Sequence, residues 1–184
     1  MSCCCIPIGS GPKLILSQTF TGQGTVSFTS DIDSTYDTYM FVMTEIATSS
    51  DSASFQVNFH DSSGTNLTKT TTTFNAAHSE NGTGGELGYN TGTDLAQSTN
   101  PQDLADYNMG NDADQCLAGI LYLYSPSSTT YVKQFMSTTQ FYENGNQSWN
   151  MFVAGYVNTT TAVAQVSFTT NTGTFSGTIA MYGT

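Results

Sequence analysis

Apolar and polar residues alternate with a period of two along most of this chain. Residues 25–29, 54–59 and 164–168 place hydroxyl or amide side chains between apolar ones. Because successive side chains of a β-strand point to opposite faces, these segments predict strands with one face in a core and the other in water. The denser apolar segments, residues 39–43, 120–124 and 149–153, predict central strands that are buried on both faces or lie at a contact between chains.

Turn residues separate these segments and complete an all-β pattern. Asn144-Gly145 and Thr172-Gly173 have the residue types that supply the positive φ of tight hairpins. No segment sustains the 3.6-residue period of a helix. Four further strands are predicted at residues 13–20, 67–74, 131–142 and 177–182. The chain therefore predicts a single antiparallel domain of roughly ten strands, either a sandwich or a barrel.

The longest interruption of this pattern runs from Ala76 to Gln115 and is rich in Gly, Asn and Asp. Because structureless loops of this length are uncommon, we expect a short strand near Leu87 and a helical turn from Pro101 to Asp106. Rigid β-scaffolds carry recognition on their connections, so this segment is the candidate receptor or partner loop. The candidate contact residues there and in the aromatic segment beyond it are His78, Tyr89, Asn111 and Trp149.

Residues 1–12 are predicted to form an arm ahead of a domain at residues 13–184. Pro7 and Pro12 bracket a Gly-Ser-Gly sequence that favours neither strand nor helix. An arm of this kind commonly attaches a domain to a neighbour, and a frayed end without a role is the alternative. The candidate attachment residues are Cys3, Cys4, Cys5, Ile6 and Pro7. The three cysteines lack Cys-x-x-Cys spacing, which leaves zinc shared with a neighbour, interchain disulfides and an unpaired tail as alternatives.

The charge balance argues against several classes of function. The chain has no arginine and three lysines against 14 acidic residues, for a net charge of -11. Binding of nucleic acid depends on clustered Lys and Arg, so nucleic acid is not an expected partner. Only 9% of the residues are charged, whereas most enzyme sites hold converging ionisable groups, and no catalytic residue is predicted. No apolar stretch reaches the ~18 residues of a membrane helix, so a membrane is not an expected partner either.

Two acidic fragments are weak candidates for a structural calcium ion. Asp31 and Asp33, and likewise Asp112 and Asp114, place carboxylates at positions i and i+2. Hard oxygen ligands at this spacing suit calcium, but neither fragment has the closing glutamate of a calcium loop. The alternative is that these side chains cap turns, which is their usual role. No cofactor is otherwise predicted.

Several segments together resemble small structural proteins of marine tailed bacteriophages. They are residues 28–37 followed by Tyr39-Met40-Phe41, then residues 87–92, 110–112, 125–133 and 177–183. The resemblance covers nearly everything after the arm, with the motifs in the same order. It implies a virion component with a jelly-roll-like β-sandwich and no enzymatic activity. The cysteine run at residues 3–5 departs from the family pattern.

The sequence and the resemblance together predict a protein of the virion exterior, assembled in the cytoplasm of the bacterial host. We expect a capsid decoration (cement) protein or a fibre-head subunit that acts by oligomerisation, with a homotrimer as the predicted state. Its expected partners are copies of itself and other virion proteins, such as the major capsid or tail proteins. The alternative is a tail-fibre module that recognises a glycan or protein on the host surface.

Overall fold

The computed structural model describes residues 11–184, without the side chain of Tyr107. Between these residues every regular element is a β-strand, so this part of the chain contains no helix that could cross a membrane. The strands are β1 (Lys13–Gln23), β2 (Thr25–Phe28), β3 (Thr38–Thr48), β4 (Ala53–His60), β5 (Lys69–Ser79), β6 (Gly85–Tyr89), β7 (Gln102–Met109), β8 (Leu117–Tyr124), β9 (Lys133–Glu143), β10 (Gln147–Val157), β11 (Gln165–Thr170) and β12 (Phe175–Gly183).

The strands form a large and a small antiparallel sheet. The large sheet has the order β1-β12-β3-β8-β9-β10-β5-β6, and the small sheet has the order β7-β4-β11-β2. A single residue pair, Met109 with Glu143, links β7, the edge strand of the small sheet, to the end of β9 in the middle of the large sheet. The three dense apolar segments lie in β3, β8 and β10, each of which has a neighbour on both sides, so their central position is confirmed. Their side chains alternate between buried and partly exposed, so they are buried on one face and not on both.

The core lies between the two sheets and is built largely from phenylalanine. Phe59 of β4 contacts Phe135 of β9, with ring centroids 4.7 Å apart. Phe55 of β4 meets Phe175 of β12 edge to face at 5.3 Å. Each such aromatic pair contributes roughly 0.5–1.5 kcal/mol beyond the burial of its area. These contacts cross from one sheet to the other, which makes the architecture a sandwich.

The connectivity agrees with the predicted jelly-roll-like, all-β sandwich. Three pairs of consecutive strands, β5–β6, β8–β9 and β9–β10, are hydrogen-bonded neighbours, and the other connections pass from one sheet to the other. Residues 11–184 form twelve strands where about ten were predicted. The short strand expected near Leu87 is present as β6, at one edge of the large sheet.

Two local predictions were wrong. The helical turn expected from Pro101 to Asp106 is instead the start of β7, where Leu104 and Ala105 are fully buried and β4 supplies the hydrogen-bonding partner. In the β9–β10 hairpin the positive φ falls on Asn146, at 63°, and not on Asn144 or Gly145. The second predicted turn is confirmed, because Gly173 has a φ of 69°.

The segment between β6 and β7 is tied to the large sheet along β5. The backbone N–H of Thr71 donates to Leu95 at 2.9 Å, and that of Lys69 donates to Ser98 at 2.7 Å. Thr71 also donates its hydroxyl to Gln102 at 2.6 Å. The predicted recognition loop is therefore mostly strand and hydrogen-bonded edge.

Candidate functional site

A continuous row of side chains crosses the side of the large sheet that faces away from the small sheet. Residues directly opposite each other in an antiparallel pair share a face of the sheet, so the strand register defines the row. The row consists of Ala180, Val42, Ile120, Thr138, Phe152, Phe74 and Tyr89, one residue from each of seven strands. All but Thr138 are apolar or aromatic, whereas the solvent side of an antiparallel sheet is normally polar.

Two further rows flank the central one. The first contains Tyr182, Met40, Tyr122, Met136, Ala154 and Thr72. The second contains Ala118, Gln140, Asn150, Ala76 and Leu87. We call these three rows the outer face. No Asp, Glu, Lys or His stands in any of the three rows, although the chain carries a net charge of -11.

Large apolar side chains are exposed on the outer face. Leu87 is 77% exposed, Tyr89 54%, Met136 53% and Phe74 43%. The exposed Leu14 lies at its margin, directly opposite Tyr182. Monomeric proteins seldom present such residues as one contiguous patch, and a patch of this kind marks a contact site.

The relief of the outer face combines a ridge with a concavity. The rings of Phe74 and Phe152 stack with centroids 4.6 Å apart over β5 and β10, and Phe74 is 43% exposed; we call this pair the ridge. The concavity, of about 660 Å³, lies over β3, β8 and β9, where Val42, Ile120 and Met136 line it. Both features are uncharged, so shape and apolar area dominate what the face can bind.

The polar groups of the outer face are hydroxyls and amides. The hydroxyls of Tyr122 and Tyr182 make no hydrogen bond within residues 11–184, and neither does that of Tyr124, at the end of β8 beside the concavity. The amide of Asn150 donates to the backbone oxygen of Thr139 at 2.9 Å. A phenol hydroxyl both donates and accepts, so these groups can bond to an identical group as readily as to a different one.

The structure does not bring the four predicted recognition residues into one site. Tyr89 belongs to the outer face, where its hydroxyl donates to Asp94 at 2.7 Å. His78 is exposed near the end of β5, where it is paired with Gly85, and it lies outside the three rows. Trp149 lies on the opposite side of the sheet, with its ring centroid 6.0 Å from that of Phe141. Asn111 lies in the β7–β8 connection and donates to the backbone oxygen of Ser49 at 3.4 Å.

Trp149 instead lines a polar cleft beside β6. The cleft has a volume of about 450 Å³ and is lined also by Asn75, Glu86 and Asn90. Asn75 donates its side-chain amide to Glu86 at 2.5 Å, and Asn90 donates to Asp106 at 2.8 Å. A half-buried indole beside a carboxylate and two amides is a combination that can hold a sugar ring and its hydroxyls.

The predicted calcium ligands serve as turn residues where the structure shows their contacts. Asp33 accepts hydrogen bonds from the backbone N–H of Thr35 at 2.7 Å and from the hydroxyl of Tyr39 at 3.1 Å. The bonds from Thr35 and Tyr39 lower the pKa of Asp33. Asp112 accepts the backbone N–H of Gln115 at 3.0 Å through its own backbone oxygen. Within residues 11–184 no three of His, Cys, Asp and Glu converge as metal ligands, and calcium binding stays a prediction.

The attachment residues Cys3, Cys4, Cys5, Ile6 and Pro7 lie outside the described residues. The cysteine that the structure does describe, Cys116, is exposed with a free thiol.

Ionisable groups inside the sandwich belong to structural contacts. Lys69 is fully buried and donates to the side chain of Asn58 at 2.6 Å and to the backbone oxygen of Leu67 at 3.1 Å. Burial lowers the pKa of Lys69 to about 8. Nε2 of His60 lies 2.7 Å from the hydroxyl of Ser167, and its Nδ1 is buried without a hydrogen-bond partner. Burial lowers the pKa of His60.

Sequence reasoning identified parts of the outer face without its extent. The dense segments in β3, β8 and β10 signalled an unusual surface, and Tyr89 was a candidate residue. Met136 and Phe74 were not candidate residues, because alternation alone assigns them to the solvent side of ordinary strands.

No family model, no curated protein and no solved structure matches the chain.

Proposed function

We propose that this chain is a structural protein of a bacteriophage virion, exposed on the particle exterior as a capsid decoration protein or a fibre-head subunit. It acts by association with copies of itself and with other virion proteins, such as the major capsid or tail proteins. The observation that carries the proposal is the outer face, a broad uncharged apolar surface on an otherwise acidic sandwich. Water disfavours such a surface, and covering it yields roughly 25 cal/mol for each Å² of apolar area. The sequence resemblance supplies the phage assignment.

The mechanism is mechanical. A sandwich with a phenylalanine core holds its sheet rigid, because such interiors pack as densely as crystals of small molecules. One subunit gains only a modest contact, yet the same contact repeats at every equivalent position of a symmetric particle. Neutral polar and acidic side chains elsewhere face the surroundings.

The decisive experiment is location of the chain in purified particles. Mass spectrometry of phage purified on density gradients should detect it at a fixed ratio to the major capsid protein, and cryo-EM should place its sandwich on the exterior. Hundreds of copies in each particle indicate a decoration protein, whereas a small multiple of three or six indicates a fibre. Absence from purified particles would remove the proposal.

A second candidate function, recognition of a host glycan by a tail-fibre module, is favoured by the cleft at Trp149 and Glu86. Purified chain should then bind host cells, and Glu86→Gln should weaken binding at least tenfold, because a carboxylate that accepts two sugar hydroxyls is replaced by a weaker acceptor. Glu45→Gln, the same substitution at an exposed residue of β3 that does not line this cleft, is the matched control and should bind as the parent does. Equal binding by parent and Glu86→Gln would eliminate the cleft as the site.

A further inference from the structure

We propose that the outer faces of two copies of this chain pack against each other around a two-fold axis. The inference deepens the proposed function, on which it rests, by naming the first partner of the outer face as a second copy. Four properties of the face select that occupant: its charge, its polar groups, its relief and its size.

The charge distribution allows identical chains to meet only on a surface like this one. Each copy has a net charge of -11, so most orientations bring carboxylates against carboxylates. Lys69 and Lys133, two of the three lysines, are fully buried and cannot offset that repulsion at a contact. The three rows of the outer face contain no charged residue, so two outer faces can approach without burying an unpaired charge. A basic partner would gain little from the three rows, which contain no carboxylate; Asp94, beside Tyr89, already accepts the hydroxyl of Tyr89 at 2.7 Å.

The polar groups of the face are uncharged and can bond to a second copy. Tyr122 and Tyr182 present phenol hydroxyls that make no hydrogen bond within residues 11–184, and each can donate and accept. The amide nitrogen of Gln140 already donates to Ser148 at 3.0 Å, and its amide oxygen can accept. A two-fold axis above β9 brings Thr138 and Gln140 onto their own copies and places Tyr122 of β8 over β10 of the second copy.

The ridge and the concavity lie side by side on the same face. The ridge at Phe74 and Phe152 covers β5 and β10, and the concavity over Ile120 covers β3, β8 and β9. A two-fold axis parallel to the strands and passing above β9 places each ridge over the concavity of the other copy. This contact buries both features at once and closes on itself, as an isologous interface does.

The size of the face suits a stable pair. Seven strands about 4.8 Å apart, each contributing about five residues at roughly 3.4 Å, cover a flat footprint of about 500 Å². That flat footprint is more than half of the ~800 Å² that each partner buries in a standard interface, and the relief of the face adds to it. Sheets packed in this way align their strands within about 30° of each other.

The mass of the full chain in solution tests the proposal. Sedimentation or light scattering in the presence of reductant, which excludes crosslinks through Cys3, Cys4 and Cys5, should give an even number of chains. Met136→Glu should weaken association at least about 100-fold, because the carboxylate would be buried against the second copy. Met136 is 53% exposed, so the new charge stays hydrated in a single chain and the fold tolerates it.

Tyr131→Glu is the matched control. Tyr131 is 74% exposed but lies in the β8–β9 connection and in none of the three rows, so the same substitution there should leave the mass unchanged. Unchanged circular dichroism and melting of both variants as single chains would show that the sandwich is intact. Phe74→Ser, on the ridge, should reproduce the loss seen with Met136→Glu.

Three outcomes would overturn the pairing: a parent chain that stays monomeric at about 100 µM, a Met136→Glu variant that keeps the parent mass, or a trimer. The trimer predicted from the sequence would need a second surface, because a flat face can cover only one neighbour. These outcomes leave the location experiment untouched, since a monomer can still decorate a particle. Conversely, absence from particles removes the virion role without affecting the measured mass.

Discussion

Asp103 shows how a single buried carboxyl makes this fold sensitive to pH. It is 8% exposed on β7 and accepts a hydrogen bond from Gln56 at 2.7 Å. Burial raises its pKa from 3.8 to about 6, the charge of Asp106 adds to the rise, and the bond from Gln56 opposes it. Because the folded pKa lies above the unfolded one, the protonated form favours folding. The stabilisation is complete below pH 4 and is lost as pH rises through about 6.

We predict that Asp103→Asn removes this dependence. A pKa rise of about two units corresponds to roughly 3 kcal/mol, so the free energy of unfolding of the parent should fall by up to that amount between pH 4 and pH 7 relative to the variant. Asparagine keeps an oxygen that can accept the bond from Gln56. Urea unfolding of both proteins at several pH values measures the difference, and parallel pH curves would contradict it.

Two of the three lysines lie inside the sandwich and not on its surface. Lys69 and Lys133 stand opposite Val157 on either side of β10, and both point inward. Lys133 donates to the backbone oxygen of Thr159 at 2.8 Å, and burial lowers its pKa. Lys13 is the one lysine that is exposed, and the buried carboxyls of Asp103 and Glu143 balance the two buried lysines, so the surface stays strongly acidic with almost no positive charge on it.

At the scale of the strands, the close approach of neighbouring strands in the large sheet depends on two glycines. A Cβ on Gly119 of β8 would lie 2.6 Å from the backbone oxygen of Thr138, and one on Gly155 of β10 would lie 2.6 Å from that of Thr70. Backbone atoms cannot move aside without shifting a strand. Both glycines therefore set the spacing of the strands beneath the outer face.

We predict that Gly119→Ala and Gly155→Ala each lower the free energy of unfolding by about 1–3 kcal/mol through this overpacking. Gly88→Ala on the edge strand β6 is the control, because its added Cβ would meet no atom within 4 Å. Its effect should stay within about 0.5 kcal/mol, as for other surface changes. Denaturant titration of the three variants tests the contrast, and equal losses would show that close approach is not the cause.

The sequence predicted the strands well because alternation is a local property. It failed at residues 101–106, where Pro101 and nearby aspartates resemble a helix start but pairing with β4 determines the structure. The outer face depends on register between distant segments: Ala180, Val42 and Ile120 become neighbours only after the strands pair. The sequence contains each of these residues, and nothing local places them side by side.

At the scale of the whole molecule, like charges dominate the long-range electrostatics. The net charge is -11, and only Lys13 among the lysines lies at the surface to oppose it. The screening length falls from about 30 Å at 0.01 M salt to about 8 Å at 0.15 M. Repulsion within one sandwich therefore weakens strongly across this range.

We predict that the melting temperature rises by several degrees between 0.01 M and 0.15 M NaCl, because screening removes self-repulsion that opposes the compact state. Lys13→Gln should melt below the parent at low salt and close to it at 0.15 M. Differential scanning calorimetry on a Met136→Glu background separates this effect from association. A melting temperature that is independent of salt would contradict the prediction.

The pairing of β1 with β12 places Lys13 opposite Gly183, so the two ends of the domain lie a few ångströms apart. A linker of two to four residues could join them as one more hairpin, giving a circular permutant with new ends in the exposed β5–β6 turn at Asn81 and Gly82. Such a rearranged chain would carry a fused cargo at the pole of the sandwich opposite Lys13 and Gly183. The domain can therefore serve as a display scaffold, because the parent chain and the permutant present a fused protein at opposite poles.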